Sequence, residues 1–131
     1  TNDWGLGGII PLGSPQDTTD VSFYGATDIV LKGIKENNPN ARVFVLSPIP
    51  RADSAYNPTG TLQDFASALS VVANRYGFDF IDGAKMPLDA TDTSVMPDHL
   101  HPNDSGHVVY ANYLFENILS AMLTPKKVAL Q

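Results

Sequence analysis

The sequence contains no cysteine. This excludes disulfides, thiolate metal sites and a cysteine nucleophile, and leaves the cellular compartment undetermined. Positive charge is scarce. Eight lysines and arginines stand against fourteen aspartates and glutamates, giving a net charge of −6 and an isoelectric point near 4.7. The basic residues are scattered, and only Lys126 and Lys127 are adjacent. Nucleic acids and anionic membrane surfaces both select basic patches, so neither is expected as a partner. No apolar run approaches the length needed to span a bilayer. There is also no internal repeat and no low-complexity segment.

What is present suits one globular domain. The 131 residues can bury a core, and 43% hydrophobic with 17% charged residues is an ordinary balance. Residues 4–19 are rich in glycine and proline and predict a loop. Asp20 to Lys35 predict a helix, capped by Asp20 or Ser22, with Phe23, Ala26, Val30 and Ile34 on its inward face. Val43 to Leu46 is a short, unbroken apolar run, which predicts a strand buried on both faces and paired on both edges. Thr61 to Tyr76 gives the clearest helix. Leu62, Phe65, Ala66, Leu69, Val72, Ala73 and Tyr76 trace one stripe, and Gly77 ends it. Phe78 to Asp82 predicts a second strand. Asn103 or Asp104 caps a last helix that runs to about Leu123, with Pro125 beyond it.

Loop lengths are unequal in this pattern. Helix-to-strand turns are short, whereas strand-to-helix loops run to about 10 residues after the first strand and about 20 after the second, a length that is usually functional. In an alternating β/α chain these long loops gather at the C-terminal edge of a parallel sheet, where open α/β sheets bind ligands.

The longest loop carries Pro97-Asp98-His99-Leu100-His101-Pro102. An aspartate three residues before a histidine, followed by proline and a helix start, sets carboxylate and imidazole on one tight turn. Such a pair is what a hydrolase uses as base and orienter. Other readings of these residues stay open. His99, His101, Asp104 and His107 have the look of a metal cluster, although nothing independent fills a fourth position. Asp98 and His101 also suit a solvated surface pair. Asn2-Asp3 suits a turn, and Thr1 an N-terminal nucleophile of a different hydrolase class. Trp4, Tyr24, Tyr56 and Met96 are candidate cleft residues. Trp4 and Met96 flank the chemical groups in sequence, and Tyr24 fits helix packing equally well. No serine stands in an obvious nucleophile setting: Gly13-Ser14 precedes a proline in a polar loop, and Ser105 sits where a helix is capped.

Two blocks resemble those of the SGNH, or GDSL-type, hydrolases. Thr1-Asn2-Asp3 resembles the end of their G-x-N-D block, and Asp98-x-x-His101 resembles their D-x-x-H block, with the usual helix after it. The intervening strand and helix fit the same order, so the resemblance covers nearly the whole chain. It implies an α/β fold with a three-layer, flavodoxin-like parallel sheet, of which residues 1–131 would be the C-terminal half. It implies that His101 is the general base, that Asp98 orients it, and that the Asn2 amide donates to the oxyanion. Trp4 and Met96 would be substrate-binding. The family's nucleophilic serine lies in an N-terminal Gly-Asp-Ser block that this sequence lacks, so an upstream segment of the same hydrolase is the expected partner. The implied activity is hydrolysis of acetyl or short-acyl esters, on carbohydrate among other alcohols, through an acyl-enzyme and with no metal or cofactor. The competing expectation is a non-catalytic carbohydrate-binding or structural module on the same fold.

Overall fold

The computed structural model describes residues 2–5 and 10–124, with Asn2 and Asp3 described by their backbone alone. A short helix α1 (Asn2–Gly5) is followed by α2 (Phe23–Asn37), β1 (Phe44–Leu46), α3 (Leu62–Arg75), β2 (Asp79–Ile81), a 3₁₀ turn (Gly83–Lys85) and α4 (Asp104–Leu123). Strands β1 and β2 run parallel, with Phe44 opposite Asp79 and Leu46 opposite Ile81. Helix α3 makes the crossover between them, as parallel neighbours require. Among the described residues no helix is long and apolar enough to cross a membrane.

Side-chain caps set the helix boundaries. Ser22 caps α2, its hydroxyl accepting from the Gly25 amide at 3.2 Å. Thr61 and Asp64 form a reciprocal capping box on α3. At the other end of α3, Gly77 takes φ +70°, a left-handed turn that ends the helix at little steric cost. Asn103 rather than Asp104 caps α4, accepting from the Gly106 amide at 3.1 Å.

Two apolar clusters hold these elements. Tyr24 and Leu31 of α2 pack with Ala68, Val72 and Ala73 of α3 and with Phe78 beside β2, and Val45 and Phe80 contribute from the strands. Met86, Leu88, Ala90 and Met96 from the long loop form the second cluster, under Val109, Tyr110 and Tyr113 of α4. The Tyr113 hydroxyl donates to the Asp82 carbonyl at 2.6 Å and ties α4 to the end of β2.

Three expectations are corrected. The inward face of α2 carries Tyr24, Asp28 and Leu31, whereas Val30 is 59% exposed. Two overlapping stripes are possible on this helix. Packing on α3 selects the one whose Asp28 accepts from the Tyr76 hydroxyl at 2.7 Å and pairs with Arg75. β1 is half-buried throughout rather than enclosed, and among the described residues it pairs on one edge only. An apolar cleft of about 380 Å³ opens beside its end, lined by Phe23, Leu46, Ser47, Ile49, Leu69 and Tyr110. Trp4 lies in a helix rather than a loop.

Candidate active site

The long loop is built from aspartate-centred turns, which satisfy its backbone without a strand or helix. Asp89 accepts from the Thr91 amide at 2.8 Å, and Asp92 from the Ser94 amide at 2.8 Å. Asp98 repeats the pattern: its Oδ1 accepts from the amides of Leu100 at 3.0 Å and His101 at 2.6 Å. Its Oδ2 accepts from Nδ1 of His101 at 2.6 Å. One carboxylate thereby fixes both the backbone of the turn and the ring that the turn presents. The bond to the His101 ring, then those to the two amides, hold the Asp98 carboxyl well below the usual carboxylate range. An ionised carboxylate accepts only, so Nδ1 carries a proton, and in the neutral ring it is Nε2 that keeps the lone pair.

His99, between the two, adopts φ +62°, a left-handed conformation that a side chain makes costly. Two bonds brace it. Its Nδ1 donates to the Ala90 carbonyl at 2.9 Å, and its own carbonyl accepts from the Ala52 amide at 2.9 Å. His99 is thus a pin that joins the loop after β1 to the loop after β2. The one sequence signal for this is that histidine tolerates the left-handed region better than most residues.

His101 opens onto a groove of about 440 Å³ whose other walls are Ile49, Arg51, Leu100, Pro102, His107 and Tyr110. Most of this lining is apolar, and it draws on the loop after β1 as well as on α4. Sequence reasoning had not singled out Ile49, Arg51 or Tyr110, since their convergence depends on how three distant segments pack. The pair is open, the His101 side chain being 74% and that of Asp98 55% exposed.

The other expected residues divide. Met96 is completely buried in the loop's own cluster. It presents nothing to a substrate, and its place as a cleft residue is corrected to one of support beneath the Asp98 turn. Tyr24 is core. Trp4 donates from Nε1 to the Gly60 carbonyl at 2.9 Å, lies under the Arg51 guanidinium at 5.0 Å, and borders a separate hollow shared with Tyr56. The side chain of Asn2, the expected oxyanion donor, lies outside the described residues, as do Thr1 and Pro125. Ser14 is held in a turn by Asp17, its hydroxyl donating at 3.0 Å. Ser47 is buried at the end of β1, with its hydroxyl accepting from the Gly83 amide at 2.7 Å. His107 stands on α4 at the groove, and among the described residues no group of three His, Asp or Glu side chains is placed to hold a metal ion.

No protein of curated function matches the chain. Several solved structures share its fold. A protein from Lactobacillus plantarum superposes with a TM-score of 0.82 at 24% identity, over 91% of this chain and 62% of its own. Another crystal structure gives 0.81 at 24% identity, over 91% of this chain and 60% of its own. One described as a possible lipase from Chitinophaga pinensis gives 0.76 at 19% identity, over 95% and 71% respectively. The chain thus spans about three-fifths of the length of the first two. The family model of the GDSL-like lipases and acylhydrolases matches residues 1–109, a stretch that takes in both Asn2-Asp3 and the turn holding Asp98 and His101. By that match this chain belongs to the GDSL-like lipase/acylhydrolase family.

Proposed function

We propose that this chain is the C-terminal portion of a serine ester hydrolase, in which His101 is the general base and Asp98 its orienting partner. The observation that carries the reading is the 2.6 Å bond from His101 Nδ1 to Asp98 Oδ2, which leaves Nε2 facing outward beside an apolar groove. A serine held near Nε2 would pass its proton there as it attacks the ester carbonyl, and the alcohol would leave with that proton. Water would then release the acid from the acyl-enzyme by the same route. The amide of Asn2 would stabilise the oxyanion, a contribution of roughly 3–4 kcal/mol for a preorganised donor. Trp4 would border the substrate path.

The serine and the first strands would lie in an upstream segment. The half-buried β1, with the apolar cleft beside its end, supports this, as does the greater length of the structures sharing the fold. Together the two parts would complete a three-layer, flavodoxin-like parallel sheet. The groove's apolar walls fit a short acyl group, and the exposure of His101 fits an alcohol as bulky as a carbohydrate.

The test is esterase activity on a short-chain aryl ester. The 131 residues alone should be inactive, and activity should appear with the upstream segment joined. His101→Ala in the joined protein should lower kcat/KM by about 10⁴-fold or more. Turnover by the 131 residues alone that disappears with Ser14→Ala or Ser105→Ala would overturn the assignment of the serine.

A further inference from the structure

We infer that Arg51 is a positioning residue that holds the Asn2-bearing helix α1 against the Asp98–His101 turn. The inference rests on the hydrolase reading above for its catalytic consequence, but not for its structural content. Four residues are far too few to sustain a helix, so α1 must be held by its contacts. Two of these are visible. Trp4 donates to the Gly60 carbonyl, and its ring lies against the Arg51 guanidinium. The approach continues at the next residue, where a β-carbon on Gly5 would stand 2.7 Å from an Arg51 guanidinium nitrogen. The α1 backbone is therefore pressed onto Arg51 itself.

Arg51 is in turn fixed from behind. Its Nε and Nη2 both bond the Asp53 carboxylate, a forked pairing that sets the plane of the guanidinium, and its side chain is only 7% exposed. The next residue, Ala52, donates to the His99 carbonyl at 2.9 Å, which places Arg51 one residue from the pin of the catalytic turn. Arg51 also walls the groove into which His101 opens. A single side chain thus contacts α1, the loop after β1 and the groove beside His101. A planar fork can grip a carboxylate with its edge and an indole with its face at once. A lysine ammonium cannot, so the charge alone does not serve.

The experiment uses the protein with its upstream segment joined and compares Arg51→Ala, Arg51→Lys and Asp53→Asn. Hydrogen exchange at residues 2–5 should speed up in all three while the interior of α3 keeps its protection. On a short-chain aryl ester, kcat should fall about 10- to 100-fold with KM little changed, the effect of displaced rather than deleted chemical groups. Arg51→Lys should not rescue either readout. Unchanged exchange at residues 2–5 in Arg51→Ala, or full rescue by lysine, would overturn the inference. If Arg51→Ala unfolds the protein, Asp53→Asn, which leaves the arginine in place, carries the same two readouts. A joined protein with no esterase activity at all would sink the hydrolase reading but leave the exchange measurement decisive for Arg51.

Discussion

Asp98 accepts from two backbone amides and from one imidazole nitrogen, all within its own turn. These bonds keep its carboxyl ionised in the folded protein at a pH where an ordinary carboxyl is protonated. A carboxyl depressed by folding stabilises the fold fully above its unfolded value of about 3.9, and that support is lost as pH falls below it toward the folded value. Urea unfolding of the wild type and Asp98→Asn should therefore differ by a constant amount at neutral pH. The difference should shrink only below about pH 4. A gap that already narrows as pH falls from 7 to 5 would show that the Asp98 carboxyl does not govern the linkage. In the joined enzyme the same substitution should lower kcat by roughly 10³–10⁴-fold, since an amide partner selects the wrong imidazole tautomer.

The elements are held in register by close approaches that tolerate no extra atom. Gly106, in the first turn of α4, is buried, and a β-carbon there would meet the Val95 carbonyl oxygen at 2.5 Å and the Pro102 ring at 2.7 Å. Both contacts belong to the loop that carries Asp98 and His101. Gly106→Ala should push that loop away from α4, cost about 1–3 kcal/mol as an overpacking change, and shift the His101 ring resonances in NMR spectra. Chemical shifts identical to the wild type would mean that the loop is not seated on α4 as described. At the start of α3, Thr61→Ala removes one half of the capping box and should cost about 1 kcal/mol, read from the denaturant midpoint. That loss should leave the His101 resonances untouched, because α3 contributes no wall to the groove.

At the scale of the whole molecule, apolar surface remains uncovered. Val108 is 60%, Phe115 66% and Met122 60% exposed, and their spacing sets them with Leu119 along one stripe of α4. Among the described residues, β1 also offers an edge that no strand pairs. Exposed apolar stripes and open strand edges both favour association. The 131 residues alone should self-associate at micromolar concentration in sedimentation experiments, and Phe115→Glu with Met122→Glu should weaken that association. Joining the upstream segment should suppress it as well. A monodisperse, cooperatively unfolding monomer of these residues alone would count against the reading of this chain as part of a larger sheet.

Periodicity and turn chemistry act locally, and what they control was legible in the chain itself. The α3 stripe, the stop at Gly77, the alternation of helix and strand and the tight Asp98–His101 turn all depend on residues within a few positions of one another. The family blocks at Asn2-Asp3 and Asp98-His101 were legible for the same reason, each being short and contiguous. Tertiary packing decided the rest. It chose Tyr24 and Leu31 over Val30 as the inner face of α2, because a partner for Asp28 stood on α3. It buried Met96 beneath the site instead of beside it, because the loop closes on its own apolar residues. It brought Arg51 between Trp4 and the groove, and stretched one hydrogen bond from Ala52 to His99 across two loops. The contacts of Asp28, Arg51 and Ala52 join residues some fifty positions apart, those of Met96 cross an irregular loop, and a pattern with a period of two or 3.6 residues carries no information about either.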